Sequence, residues 1–213
     1  MKRRFPMFPL ATVLFPGGLL PLHVFEPRYR AMVADCLASE PHVFGVVLIA
    51  RGSEVGGGDT RTDIGTVARI EALSRAEDGR YALLAKGTRR LRVLEWGVDD
   101  PYPVADVELL DDATAPEPAL VEASAAVSRV EALLSELGQT VTVTVTGGGG
   151  AGPGTGPGLG AGDPTWALCH RLPCGPLDRQ RLLATDDPVA RMALLTDMAG
   201  ELAQDLVRLL AQG

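Results

Sequence analysis

The chain has 213 residues, 46% of them apolar and 22% charged, a balance that excludes a disordered polypeptide and allows a core without disulfide or metal staples. A formal net charge of -7 argues against neutralising a phosphate backbone, so nucleic acid is not an expected partner. The three cysteines, Cys36, Cys169 and Cys174, are too sparse and odd in number for a secreted disulfide scaffold and fit a reducing, cytoplasmic compartment.

Lys2, Arg3 and Arg4 precede an uncharged stretch from Phe5 to Phe25, which superficially copies a signal peptide or membrane span. Pro6, Pro9, Pro16 and Pro21 with Gly17 and Gly18 would each break a spanning helix, and no membrane association is expected. Phe8 to Phe15 and Leu19 to Phe25 read instead as two strands joined by a tight turn at Pro16-Gly17-Gly18. A helix follows. Glu26 sits at its positive end, Pro27 suits its first position, and Tyr29, Met32, Val33, Cys36 and Leu37 form one apolar stripe, with Pro41 as the stop.

Val43 to Ile49 is a continuous apolar, β-branched run of the length of a buried strand. Arg51 to Asp63, with Gly56-Gly57-Gly58, reads as an exposed loop. Thr66 to Leu73, Tyr81 to Ala85, Arg89 to Trp96 and Val104 to Leu110 are four further strand candidates. Their character predicts a barrel-like or sandwiched β domain over residues 1–112.

Residues 113–213 read as a helical subdomain. Glu117 to Leu137 carries Leu120, Val121, Val127, Val130, Leu133, Leu134 and Leu137 at mainly helical spacing, and Gly138 ends it. Asp163-Pro164 and Asp187-Pro188 each pair a capping acid with proline at the first helical position. The last helix runs through Met192, Leu195, Met198, Leu202, Leu206 and Leu209. Between these helices, Thr140 to Thr146 alternates Thr and Val, compatible with an edge strand or a loop stem. In Gly147 to Gly162, 10 of 16 residues are glycine, which predicts a flexible loop.

Templates for chemistry mostly fail. Lys2 and Lys86 are the only lysines, so the glycine tract has no phosphate-binding lysine motif. Cys169, His170 and Cys174 lie close together, yet Leu172-Pro173 intervenes and no second ligand pair follows, so no metal or other cofactor is expected. His23 and His42 sit alone on apolar segments and read as core or rim residues. No GxSxG elbow or HExxH pair occurs, and Cys36 falls on a buried stripe. Arg89, Arg90 and Arg92 form the one basic cluster. In a strand Arg90 and Arg92 share a face, which is either solvated or a contact for an acidic peptide or a phosphate.

The run from Phe8 through Phe15-Pro16-Gly17-Gly18, Pro21-Leu22-His23-Val24-Phe25-Glu26-Pro27-Arg28-Tyr29-Arg30 to Met32 resembles the opening signature of the Lon protease N-terminal domain family. Gly65 to Ile70, Asp78-Gly79-Arg80-Tyr81, Lys86 to Val93 and the Asp163-Pro164-Thr165-Trp166 segment are similar to its later parts. The resemblance implies an α+β fold: a PUA-like β pseudobarrel with one early helix, followed by a C-terminal helical bundle. It implies a stand-alone, non-enzymatic module that binds a polypeptide substrate or partner protein, without ATPase or protease parts, as an adaptor or regulator of proteolysis. A small hydrolase is the alternative. No catalytic residue is carried over. Arg28, Tyr29, Arg90 and Arg92 are the candidate peptide- or partner-binding residues; the oligomeric state is left open.

Overall fold

The computed structural model describes residues 3–51, 60–138 and 163–211. Thr140 to Thr146, Gly147 to Gly162 and most of the expected 51–63 loop lie outside the described residues. The rest divides into two compact units, one ending at Asp111 and one beginning at Asp112.

The first unit contains β1 (Arg3–Leu10), β2 (Leu19–Val24), α1 (Pro27–Leu37), β3 (Val43–Arg51), β4 (Thr60–Arg75), β5 (Tyr81–Trp96) and β6 (Val104–Leu109). The strands are ordered β2-β5-β4-β3-β1-β6, and β6 also pairs with β5. That last pairing closes five strands into a ring, with β2 added alongside the first half of β5. Among the described residues only β1 and β3 pair in parallel; the other pairings are antiparallel.

Two cores explain the apolar runs. Phe8 and Leu10 of β1 face the cluster under α1, whereas Phe5 and Met7 face a second cluster with Val47, Leu91, Val93 and Val107. A strand buried on both faces has no polar face to alternate with, so β1 and β3 read as continuous apolar stretches. The stripe of α1 behaves as its spacing predicts: Tyr29, Met32, Val33 and Cys36 are buried. Tyr29 stacks on Phe8 with centroids 4.1 Å apart.

Three strand expectations are corrected. Phe8–Phe15 and Leu19–Phe25 do not form a hairpin: β1 ends at Leu10, pairs with β3 and β6, and leaves β2 to pair with β5. Residues 11–18 instead form an anchored loop. The Thr66 hydroxyl donates to Leu14 O at 2.5 Å, Gly17 N donates to Gly87 O at 2.8 Å, and Gly87 N donates to Gly18 O at 2.8 Å. Tyr81–Ala85 and Arg89–Trp96 are one strand, because Val67 pairs with Arg89 and Ala68 with Gly87, leaving Thr88 as a bulge. The 66–73 strand likewise extends to Thr60 and Arg75.

The second unit holds α2 (Glu117–Glu136), α3 (Pro164–Arg171), α4 (Pro176–Ala184) and α5 (Pro188–Leu210). Asp163 accepts from Thr165 N, and Asp187 from Ala190 N, so both expected caps form. Gly138 has φ +70, the left-handed stop that lets α2 end there. Along α5, Ala199 and Ala203 are buried with Met192, Leu195, Met198 and Leu206, while Leu202 is half-buried and Leu209 exposed. Arg191 is the surprise of this unit, being 0% exposed.

Candidate functional site

The first unit presents a cavity of about 350 Å³ between α1 and the turn joining β4 to β5. Pro27, Arg30, Ala31 and Ala34 line it from α1 at i, i+3, i+4 and i+7, the face next to the buried stripe. Arg75 and Tyr81 close the other side. Strand pairing brings these together: Tyr81 is opposite Arg75 of β4 and Val24 of β2. The Arg75 guanidinium lies 5.6 Å from the centre of the Tyr81 ring. Phe25, the next residue after Val24, is 51% exposed.

The turn itself is tight. Gly79 N donates to Ala76 O and Ala76 N to Arg80 O, each at 2.9 Å. Asp78 accepts from Arg80 N at 3.1 Å and from its Nε at 2.7 Å. The backbone hydrogen bond from Arg80, ahead of its guanidinium and that of Arg30, holds the Asp78 carboxyl below its usual range. Glu26 is likewise engaged by Arg28 at 3.0 Å.

The second unit carries an open groove of about 540 Å³ between α2 and α3. Leu120, Val121, Ala125, Pro164, Ala167 and Leu168 give it an apolar wall. Val121, expected in the core stripe of α2, is 62% exposed here. Arg171 bounds the groove, but its guanidinium is already held by Glu131 at 2.6 and 3.0 Å and by Ser128 Oγ at 3.1 Å.

The four residues singled out from the sequence are not brought together. Arg28 lies over the Tyr29 ring at 4.6 Å, and Tyr29 is buried in the cluster under α1. Arg90 and Arg92 alternate with Leu91 and Val93 of the other cluster. Arg90 is 2% exposed, so the solvated-face expectation is corrected for it; it sits opposite the buried Thr66, where the 11–18 loop covers the strand. Arg92 is half-buried, opposite Ile64 and Glu108. Arg89 is exposed and paired with Asp111.

Burial pushes the thiols of Cys36 and Cys169 up to about 12, with Asp35 adding to the effect on Cys36. Both are therefore neutral at physiological pH, and the Cys36 Sγ donates to Val43 O at 3.4 Å. Burial also raises the Cys174 thiol. Among the described residues no group of three or more His, Cys, Asp or Glu side chains is placed to hold a metal ion. His170 is buried, His23 is exposed, and His42 is half-buried with Nδ1 3.0 Å from Cys36 O and 3.1 Å from Ser39 O.

The model of the ATP-dependent protease La (LON) substrate-binding domain family matches residues 4–147. The chain belongs to this family. A Lon protease of Anaeromyxobacter dehalogenans is 37% identical over 123 residues, 56% of this chain, and Lon protease 2 of Myxococcus xanthus is 39% identical over 121 residues, 55% of it. The chain spans about 14% of the length of either relative. The crystal structure of a Lon N-terminal domain protein from Xanthomonas campestris superposes with a TM-score of 0.62 at 30% identity, covering 91% of this chain and 96% of that one. The N-terminal domain of a Mycobacterium avium complex Lon protease gives 0.62 at 18% identity over 93% and 98%, a likeness of fold. The α+β architecture, six strands followed by a helical region, is thus that of Lon N-terminal domains. Among the described residues no helix is long and apolar enough to cross a membrane.

Proposed function

We propose that this chain is a non-enzymatic module that recognises unfolded or extended polypeptide in the cytoplasm and acts as an adaptor or regulator of proteolysis. The observation that carries the proposal is the match of a Lon substrate-binding domain over residues 4–147. The surface chemistry supports it: the α2–α3 groove is open and walled mainly by apolar side chains, and the α1 cavity sets small apolar side chains beside two arginines, forms suited to side chains from a passing chain. Burial raises the thiols of Cys36, Cys169 and Cys174, which disfavours each of them as a thiolate nucleophile. Recognition relies on apolar contact in the α2–α3 groove and on the α1 cavity, whose lining residues Pro27 and Arg30 bracket Arg28 and Tyr29 in sequence. Arg92 contributes at most a peripheral charge, and Arg90 is a structural residue. Titrating a labelled, reduced and denatured model protein at two salt concentrations, alongside a cleavage assay with and without ATP, tests this. Saturable binding that persists at moderate salt, with intact client, is expected. ATP- or metal-dependent cleavage overturns it.

A further inference from the structure

The cavity between α1 and the β4–β5 turn contains two arginines and no acidic side chain. Arg30 projects from α1 so that its guanidinium rests against Gly79, where even a Cβ would come within 2.1 Å of its Nη2. Arg75 approaches from the end of β4, over the Tyr81 ring. Two acids adjoining the cavity in sequence are engaged by arginines two residues away, Glu26 by Arg28 and Asp78 by Arg80, while Glu77 of the turn is exposed. Asp78 also lies within electrostatic reach of Arg30. Among the described residues neither Arg30 nor Arg75 has a carboxylate at ion-pair distance. In a chain of net charge -7, two arginines lining one small cavity, with Asp78 at its edge already paired with Arg80, give that wall a locally positive character.

We infer that this cavity binds a single carboxylate of an acidic, partly apolar peptide segment, with Arg30 and Arg75 pairing the carboxylate and Tyr81, Pro27, Ala31 and Ala34 taking the neighbouring apolar atoms. The inference rests on the polypeptide-binding reading above and adds a sequence preference to it. The size favours this ligand: about 350 Å³ lies at the small end of ligand sites and holds one or two side chains rather than a polyanion. The wall chemistry favours it too, since a free phosphate would leave the apolar side unfilled. Arginine is the cation suited to the role, because its planar fork matches a carboxylate at two points.

The test uses the full chain and two short labelled peptides, one of leucine, glycine and glutamate and one with every glutamate replaced by glutamine, followed by fluorescence anisotropy. The glutamate peptide should bind about tenfold more tightly, the effect of one charge-assisted pair. Arg30→Gln with Arg75→Gln should abolish the difference. Ala34→Glu, which places a carboxylate in the cavity from an exposed helix position, should weaken the glutamate peptide while leaving the fold intact by circular dichroism. Inorganic phosphate should compete poorly. Equal binding of both peptides, unaffected by these variants, overturns the carboxylate site and leaves polypeptide recognition standing. Strong phosphate competition shows a small-anion site and overturns it as well. Failure of both peptides and of denatured protein to bind overturns both readings together.

Discussion

Arg191 provides the sharpest test of how the helical unit is held. It projects from the first turn of α5 into a fully buried position, where its Nη2 donates to Thr185 O at 2.6 Å and its Nε to Thr185 O at 3.1 Å and Leu182 O at 3.2 Å. Those carbonyls end α4, whose last turn has no partners of its own within the helix. The same guanidinium lies 3.9 Å from the centre of the Trp166 ring of α3, and Asp112 sits 3.5 Å away. One side chain therefore ties three helices. Hydrogen bonds from a charged donor contribute about 1.5–3 kcal/mol each and a desolvated cation–π contact about 2. Since such contributions do not add and Arg191→Met restores apolar packing, the expected loss is about 4 kcal/mol, within the range for breaking a buried charged network. At roughly 4–8 °C per kcal/mol for a unit of this size, the melting midpoint should fall by about 15–30 °C. Ellipticity at 222 nm reports it, because four of the five helices among the described residues lie in this unit. Arg208→Met on the same helix, an exposed residue paired with Asp205, should change stability by less than about 0.5 kcal/mol. Asp112→Asn should be milder than Arg191→Met, since the carbonyls keep the cation solvated. If Arg191→Met costs under about 1 kcal/mol, the tie between helices is wrong.

Gly87→Ala should destabilise the first unit by about 1–3 kcal/mol in urea unfolding, because the new Cβ would lie 2.3 Å from Phe15 O and displace the 11–18 loop. Tyr29→Ala should cost about 3–5 kcal/mol and Pro27→Ala well under about 1, since Tyr29 stacks on Phe8 in the core whereas Pro27 is exposed and only pre-organises the helix start; equal costs in the same experiment would contradict that division. For Cys36 and Cys169 the folded thiols ionise near 12 against 9.0 ordinarily, so the unfolded state releases protons first as pH rises. Their stabilisation is complete below pH 9 and should decline above it by about 1.4 kcal/mol per pH unit for each thiol. Alkaline unfolding curves of Cys36→Ala, flatter than those of the parent chain, would show it.

How far these features could be read beforehand depended on how local their causes are. The α1 stripe, both Asp-Pro helix starts and the Gly138 stop are set by neighbours within one or two turns, and the structure places them as read. The supposed hairpin at Pro16-Gly17-Gly18 failed because the partners of β1 and β2 lie tens of residues away, and no local turn signal reports them. Arg90 illustrates the same limit: alternation correctly separates Arg89 from Arg90, but which face is covered depends on a loop that crosses from residues 11–18. Helix α4 buries only Leu182 and Leu183, too little periodicity to stand out. The α1 cavity was missed because its apolar lining is small and its two arginines are far apart in sequence. Its one local signal was Pro27, Arg30, Ala31 and Ala34 recurring on a second helical face.

Polypeptide recognition is tested most directly by offering one client in two states. A model protein, labelled once, is presented native and then reduced and carboxymethylated so that it stays unfolded, and its anisotropy is followed against increasing concentrations of the full chain. The account predicts saturable binding of the unfolded form and none of the native form, with Val121→Asp in the α2–α3 groove weakening it. Equal binding of both forms, or binding of neither, would contradict it.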